Sequence, residues 1–312
     1  MSEPNVVYLS GGVGGAKLAL GLSHLLPPER LTIVANTGDD FEHLGFPVCP
    51  DIDTLVYTLS GLANPALGWG RRDETSAFME TLRQLGGPDW FFLGDRDLAM
   101  HAERRRRAAD GHDLTEITAA LAQALGVEHP ILPMTDEPAP TIVETVDGPL
   151  AFQDYFVRLR AAPPVTGFTL HGGHMAAPSK AVLDAIRAAD LIVVGPSNPY
   201  ISIDPILKLA GMDAALREAS APIAVISPIV GGKAIKGPTA KMMAELGRES
   251  SVAGVAAHYG ALASVLVIDA ADADQAAGLA ELVPRVSVTN TVMRTLEDRV
   301  ALARHVLGLR DP

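Results

Sequence analysis

The fold of this chain is decided by Val6-Val7-Tyr8-Leu9-Ser10-Gly11-Gly12-Val13-Gly14-Gly15-Ala16-Lys17-Leu18, a stretch close to its start. A short apolar run ends in a glycine-rich turn, and a segment with helical apolar spacing follows over residues 18–26. This order predicts a buried strand, a tight turn and a helix.

A glycine-rich turn in front of a helix is suited to binding an anion. Glycine has no Cβ, so backbone amides can approach a ligand, and the helix directs the positive end of its dipole at the same point. Lys17 adds a positive charge to the turn. The sequence therefore predicts a phosphate or diphosphate site. Its candidate ligands are Ser10, Gly11, Gly12, Gly14, Gly15 and Lys17.

The glycines of this turn are also compatible with two different roles. They can serve only to pack the helix against the sheet, and their spacing also matches, loosely, the dinucleotide pattern G-x-G-x-x-G. An NAD site needs an acidic residue after the second strand, and Asp39 or Asp40 would supply one. A P-loop is excluded because no Gly-Lys-Ser/Thr sequence closes the turn.

The composition bounds the class of protein. With 312 residues, 48% hydrophobic and 20% charged, the chain can bury a large core. A net charge of −12 argues against a general surface for nucleic acid or an anionic membrane. The single cysteine, Cys49, excludes an internal disulfide and a multi-thiolate metal site. With no membrane-length apolar run and no signal-peptide layout at the start, we expect a cytoplasmic protein.

Short apolar runs recur along the chain and alternate with helical patterns. We predict buried strands over 31–35, 191–194, 223–226, 252–256, 266–269 and 286–288, and a last helix over 296–307. A hairpin is predicted over 141–152, with its turn at Asp147-Gly148. Strands that alternate with helices indicate an α/β fold with a doubly wound, mostly parallel, Rossmann-like sheet.

The block 69–127 differs from the rest by being helical and rich in charge. Helices are predicted over 73–86 and 113–125, with a loop over 90–97 between them. We interpret Arg104-Arg105-Arg106-Arg107 as the solvated face of a helix, because one basic tetrad falls short of a basic patch. The block is expected to be a helical insertion that covers the ligand cleft, within a single domain over 1–312.

Four of the predicted strands end in small polar, glycine or proline residues. These turns are 10–15, 36–40, 195–199 and 227–232. Since the carboxyl ends of parallel strands share one edge of the sheet, four such turns predict a nucleotide-sized cleft there.

The motif Pro50-Asp51-Ile52-Asp53-Thr54 precedes an apolar helical run. Asp53 or Thr54 is in a position to cap that helix, and the aspartates serve either as capping groups or as ligands. Mg²⁺ prefers carboxylate oxygens. Asp51 and Asp53 are therefore the first candidates for a metal site and for orienting or deprotonating a hydroxyl, with Asp39 and Asp40 in reserve.

Five motifs taken together resemble the 2-phospho-L-lactate transferase family of coenzyme F-420 biosynthesis, from about residue 6 to residue 304. They are 10–17, 36–40, 50–54, 93–97 and 195–199. The resemblance implies transfer of a phospholactyl, phosphoenolpyruvyl or phosphoglyceryl group from a guanosine diphosphate ester. The acceptor is the ribityl hydroxyl of the deazaflavin Fo, and GMP is released. It also implies Mg²⁺ as cofactor and a homodimer.

The resemblance further implies that Asp51 and Arg96 contact Fo. Arg96 is able to stack on a flat heterocycle, although a salt bridge to Asp95 or Asp97 is the alternative. Ser197 and Asn198 suit a guanine edge or a ribose, or else form only a proline-flanked turn.

The histidines and the cysteine carry less information. Of the histidines, His43 and His101 indicate no role, and His171 and His174 are interpreted as loop histidines because their spacing has no companion cysteines. Cys49, beside Pro50, is interpreted as a small core residue, with a position near the pocket as the alternative. A sister group with the same fold makes a non-catalytic nucleotide-binding or nucleotide-sugar-binding regulator the alternative function.

Overall fold

The opening stretch folds as its pattern predicts, with a fully buried strand that is followed at once by a helix. The computed structural model describes residues 3–173 and 175–310. In these residues the strands are β1 Val6–Ser10, β2 Leu31–Ala35, β3 Phe41–His43, β4 Phe46–Val48, β5 Ile131–Pro133, β6 Thr141–Thr145, β7 Gly148–Ala151, β8 Val165–Leu170, β9 Leu191–Val194, β10 Ile223–Ile226, β11 Ile229–Val230, β12 Lys233–Ala234, β13 Val265–Asp269 and β14 Arg285–Thr289.

The helices surround the central sheet. They are α1 Gly12–Ser23, α2 Pro50–Leu59, α3 Ala77–Gln84, α4 Asp95–Ala109, α5 Leu114–Ala124, α6 Lys180–Arg187, α7 Asp204–Leu207, α8 Met212–Glu218, α9 Thr239–Glu245, α10 Val252–Tyr259 and α11 Leu296–Leu307. Short 3-10 segments cover Pro28–Arg30, Gly260–Leu262 and Ala270–Leu279, and π-helical turns cover Asp154–Arg158 and Pro199–Ile203.

Seven strands form one parallel sheet in the order β14-β13-β10-β9-β1-β2-β5. From β1 the chain moves first to β2 and β5, and it later returns to β9 on the other side of β1. The topological switch point therefore lies between β1 and β9, where open α/β sheets bind their ligands. Alternate residues of β1 face opposite sides, so Val7 and Leu9 join one core while Val6 and Tyr8 join the other. The doubly wound sheet is confirmed.

Two segments differ from their predicted structures. Residues 252–256, predicted as a strand, belong to helix α10, because the Ser251 hydroxyl accepts the Gly254 amide at 3.1 Å and caps a helix there. Residues 95–97, predicted as loop, are the first turn of α4. The Glu74 carboxylate accepts the amides of Arg96 and Asp97 at 2.8 and 2.9 Å and so holds that turn.

Helix α2 also begins earlier than the apolar spacing predicts. Cys49 is its N-cap and Pro50 its first residue, a position where proline's missing amide costs nothing. Asp53 and Thr54 therefore lie inside the helix, and the prediction that one of them caps it is wrong. Asp51 and Asp53 are both buried in the first turn, close to the edge of the sheet.

The block 69–127 contains α3, α4 and α5, as the sequence predicts. Helix α4 packs on β4, and α5 packs on β5 at the edge of the central sheet. The predicted hairpin is also present, with β8 extending it into a small antiparallel sheet. Its turn is Val146-Asp147, one residue earlier than predicted, because Gly148 already pairs with Thr145 as the first residue of β7. None of the described helices is both long and apolar enough to cross a bilayer.

Candidate active site at the switch point

The turns after β1 and β9 touch each other at the switch point. The Ser197 hydroxyl donates to the Gly11 carbonyl at 2.7 Å. A Cβ on Gly14 would lie 2.6 Å from the Pro196 carbonyl oxygen, and one on Gly11 would lie 2.6 Å from Ser202 Cβ. These two glycines are therefore required by close packing. Packing of the helix against the sheet is thus part of their role.

Gly12 has a different role, because its φ of +65° falls in the left-handed region that favours glycine. Its amide donates to Asp51 Oδ1 at 2.6 Å. The Asp51 carboxylate thus already accepts the first amide of α1, which has no partner within the helix. The next two amides, those of Val13 and Gly14, come too early in the helix to have an acceptor four residues back. They are the donors that the turn offers to a ligand.

Asp51 lies at the centre of the site. Its Oδ2 accepts the side-chain amide of Asn36 at 3.0 Å, while Oδ1 accepts the Gly12 amide. Burial raises the pKa of Asp51 to about 6, and these two hydrogen bonds offset part of the rise. The carboxyl group therefore titrates close to neutral pH, as suits a group that takes or orients a proton.

Asn36 is a site residue that the sequence motifs did not mark out individually. It is fully buried at the end of β2. Its Nδ2 also lies 3.4 Å from Asp39 Oδ1 and 3.3 Å from the Ile201 carbonyl, and its Oδ1 accepts the Gly38 amide at 2.8 Å. Asn36 thus places Asp39 and Asp51 on either side of one amide. The sequence did contain a signal for Asn36, because it directly follows a buried strand and begins a polar turn.

Asp39 and Asp40 complete a group of acidic side chains with Asp51. Burial raises the pKa of both well above the ordinary value, and nearby carboxylates raise it further. For Asp40 a hydrogen bond with Cys49 and the charge of Arg104 offset part of the rise. Asp40 Oδ1 is buried without a hydrogen-bond partner in the part of the chain that the structure describes. A group of carboxylates with such an oxygen favours a cation.

Asp53 differs from these three because it has its own cation. Both of its oxygens accept hydrogen bonds from the Arg104 guanidinium, which is 1% exposed and also donates to the Pro47 carbonyl at 3.1 Å. Burial raises the pKa of Asp53, and Arg104 offsets part of that rise. The prediction that residues 104–107 form a solvated face is therefore wrong for Arg104.

His101 and Asp97 extend this pair along α4. His101 Nδ1 lies 3.0 Å from Arg104 Nη1, and its Nε2 lies 3.5 Å from Asp97 Oδ2. The Tyr57 hydroxyl donates to Asp97 at 2.6 Å. Asp53, Asp97 and His101 are close enough to hold a metal ion, but Arg104 already supplies the positive charge there. His101 is thus buried in helix α4.

Arg96 lies in the first turn of α4, with its side chain exposed. Asp95 accepts the amides of Ala77 and Phe78, while Asp97 is bound by Tyr57. Within residues 3–173 and 175–310, neither aspartate forms an ion pair with Arg96. The salt-bridge alternative is therefore absent, and its guanidinium is available to a ligand.

Lys17 and Asn198 both contact protein groups. Lys17 Nζ donates to the Met293 carbonyl at 3.3 Å. Asn198 Oδ1 accepts the Tyr200 amide at 3.0 Å and so caps a π-helical turn, as the turn alternative predicts. Ser10, at the end of β1, is fully buried with a hydroxyl that has no hydrogen-bond partner among the described residues.

The remaining histidines differ from the cysteine, because the Cys49 thiol hydrogen-bonds with Asp40 and so borders the acidic group. His43 is 5% exposed in β3 and packs edge-on against Trp90 and Phe91. His171 lies in the turn after β8, and His174 is outside the described residues. Cys49 is 3% exposed, in agreement with a core residue.

A depression of about 400 Å³ lies on the small antiparallel sheet, away from the predicted site residues. It is lined by Ile142, Glu144, Pro149, Leu150, Ala151, Thr169 and His171. We place the functional site at the switch point instead, where the buried carboxylates meet the glycine turn.

Comparison with known proteins gives a consistent result. A family model described as 2-phospho-L-lactate transferase CofD matches residues 6–293. The chain is 40% identical over 318 residues to a phosphoenolpyruvate transferase of Streptomyces coelicolor, with 98% of each chain covered. It is 38% identical over 306 residues to a 2-phospho-L-lactate transferase of Methanosarcina acetivorans, which covers 98% of this chain and 99% of that one.

A solved structure supports the fold. The crystal structure of a upf0052 family member from Bacillus halodurans has a TM-score of 0.63 at 17% identity. The match covers 98% of this chain and 99% of that chain. At this identity the likeness concerns the architecture alone.

Proposed function

Because this chain belongs to the 2-phospho-L-lactate transferase CofD family, we propose that it transfers a phospho-three-carbon-acid group from a guanosine diphosphate ester to Fo. The ribityl hydroxyl of Fo attacks the distal phosphorus of the donor. A phosphodiester bond forms, the diphosphate bond breaks, and GMP leaves. The reaction belongs to coenzyme F-420 biosynthesis.

One observation carries the proposal. Asp39 and Asp51 are buried beside the first turn of α1, and Asp40 is half-buried next to them. In the described residues Asp53 forms an ion pair with Arg104 and these three form none with an arginine, although Arg104 is near enough to lower the pKa of Asp40. Phosphoryl transfer depends on charge neutralisation and alignment more than on covalent help from the protein. Acidic groups beside free helix amides are suited to a cation and a phosphate together.

These carboxylates fit Mg²⁺, whose preferred ligands are oxygens. We propose that Asp51 holds the ion with Asp39 and Asp40, and that Asp53 serves mainly to bind Arg104 instead of acting as a metal ligand. When bound, the ion supplies positive charge to the transferring phosphoryl group. The unpaired Oδ1 of Asp40 is one oxygen available to it.

The chain's own residues then bind and orient the substrates. The amides of Val13 and Gly14 donate to donor phosphates at the N-terminus of α1. Asp51 orients the acceptor hydroxyl and receives its proton. The exposed Arg96 binds the heterocycle of Fo by stacking or by hydrogen bonds to its carbonyl oxygens. Ser197 and Asn198 remain our proposal for contacts with the nucleoside.

The alternative functions are less well supported. A non-catalytic nucleotide-binding regulator does not need the buried acidic group, and the matched relatives are named as transferases. An NAD site would use Asp39 or Asp40 on a ribose, but it leaves no role for Asp51. We also propose that the enzyme is cytoplasmic and that it is a homodimer. Light scattering of the purified protein tests the dimer.

The test is to incubate the enzyme with Fo, Mg²⁺ and a donor, and to measure GMP together with the Fo phosphodiester. Relatives named for phosphoenolpyruvate and for 2-phospho-L-lactate match at 40% and 38% identity, so the donors must be compared in competition. Phospholactyl, phosphoenolpyruvyl and phosphoglyceryl donors are supplied together, and the products are separated by mass. Absence of GMP with all three donors would overturn the proposed activity.

A further inference from the structure

Three positively charged side chains from separate parts of the chain gather beside α1. They are Lys17 within that helix, Lys236 in the loop between β12 and α9, and Arg299 in α11. Burial lowers the pKa of Lys17, and the charges of Arg299 and Lys236 lower it further. Lys236 and Arg299 are therefore each close enough to Lys17 for their charges to act on it.

The position of Lys236 follows from its neighbours. Its Nζ donates to the Leu67 carbonyl at 2.7 Å. A Cβ built on Gly68 would lie 2.9 Å from that Nζ and 3.3 Å from Val13 Cγ1. The ammonium group thus lies beside the second residue of α1. The loop that carries it follows a short hairpin after β10, at the carboxyl edge of the sheet.

The three cations are not neutralised by acidic side chains. Within the described parts of the chain none of them forms an ion pair with a carboxylate. Lys17 and Lys236 donate only to backbone carbonyls in the described contacts, and Arg299 Nε is buried without a hydrogen-bond partner there. In a protein of net charge −12, such a cluster marks a local site for an anion.

We propose that Lys236 and Arg299 join Lys17 in a cationic subsite that binds the diphosphate of the donor. The inference rests on the proposed function, since that function supplies a diphosphate at this end of α1. The amides of Val13 and Gly14 belong to the first turn of α1, beside which Lys236 Nζ lies, so helix dipole and side-chain charge act on one ligand. Lysine binds phosphate as a mobile point charge, which suits a residue on a loop.

Ligand binding by the variant Lys236→Met tests the subsite. Dissociation constants are measured for GDP, inorganic pyrophosphate and guanosine, all with Mg²⁺ present. We expect the variant to bind GDP and pyrophosphate at least about tenfold more weakly, because one charge–phosphate contact is lost. Guanosine, which has no phosphate, should bind as it does to the wild type. Lys236→Arg should recover most of the lost affinity.

Lys233→Met is the matched control, since Lys233 is exposed in the hairpin just before the loop that carries Lys236. It should change GDP binding by less than about twofold. Equal weakening by Lys233→Met and Lys236→Met, or no weakening by the latter, would overturn the subsite and leave the proposed function intact. If the wild type binds pyrophosphate but not GDP, the guanosine of the proposed donor is wrong. The subsite is then still tested by comparing pyrophosphate binding of Lys236→Met with that of the wild type. Binding of neither would overturn both.

Discussion

At the scale of single residues, Asp51 connects several parts of the site. It accepts the first free amide of α1 and the amide of Asn36, and it lies next to Asp39 across that amide. Its role in turnover and its role in organising the turn are therefore separable only by a substitution that keeps its shape.

Asp51→Asn is such a substitution, because it removes charge and leaves the volume almost unchanged. We expect kcat to fall at least about 100-fold, since both the cation ligand and the proton acceptor are lost. Circular dichroism and thermal unfolding should show a folded protein. Asp213→Asn, at an exposed aspartate that pairs with Arg217, is the control and should keep wild-type activity. Near wild-type turnover by Asp51→Asn would remove Asp51 from the mechanism.

Arg96 offers a second residue-scale prediction, which concerns the acceptor only. Arg96→Ala should raise KM for Fo about tenfold or more and leave KM for the donor within about twofold, because the exposed guanidinium forms no hydrogen bond or ion pair with the other described residues. Arg105→Ala is the control, as Arg105 is exposed on the same helix and faces Glu42 at 3.8 Å. Equal increases in the two KM values would place Arg96 away from the acceptor.

At the scale of elements, the pair of Arg104 and Asp53 joins the helical insertion to the core. Arg104 belongs to α4 and Asp53 to α2, and the pair is buried together with His101. The insertion is thus held beside the site by a charged contact as well as by apolar packing. Its α4 also carries Arg96, so the same contact fixes the position of the proposed acceptor-binding residue.

Removal of one partner of this pair should be costly. Arg104→Met leaves Asp53 buried without its cation, and we expect the free energy of unfolding to fall by about 3–5 kcal/mol. The double variant Arg104→Met/Asp53→Leu removes both charges and should recover a large part of that loss. Urea unfolding of the three proteins measures the effect. An equal or larger loss in the double variant would show that packing, and not an unpaired charge, accounts for the result.

At the scale of the whole molecule, the buried acidic group links stability to pH. Burial raises the pKa of Asp51 from 3.8 to about 6, and it raises those of Asp39 and Asp40 as well. Between these values the folded chain binds more protons than the unfolded chain. The contribution of these groups to stability is therefore present at low pH and is lost as the pH rises.

We expect the consequence in protein kept free of metal with EDTA. From about pH 4 to above pH 6, the Tm of the wild type should fall relative to that of Asp51→Asn, because the variant lacks one of these titrating groups. Mg²⁺ should raise the wild-type Tm more at about pH 8 than at about pH 5, since ionised carboxylates bind the ion. A shift with Mg²⁺ that is the same at both values would contradict a metal site built from these aspartates.

The sequence by itself determined the sheet and its functional edge. Apolar runs followed by polar turns identify six of the seven parallel strands of the central sheet, because such strands are buried on both faces and their ends must satisfy backbone groups. The edge strand β5 was not predicted, since its three residues are too few to form such a run. The same pattern places residues 10–15, 36–40 and 195–199 at one edge. Each of these sequence patterns depends only on residues within about ten positions of one another.

Only the tertiary structure decided which charges face each other. In the sequence Arg104 belongs to a basic run, but in the structure it is buried and pairs with Asp53. Residues 252–256 have the sequence pattern of a strand, but they form a capped helix. Likewise, Lys17, Lys236 and Arg299 are far apart in sequence and meet beside α1. The physical reason is that burial and charge pairing depend on contacts between distant segments, which no local pattern of residues records.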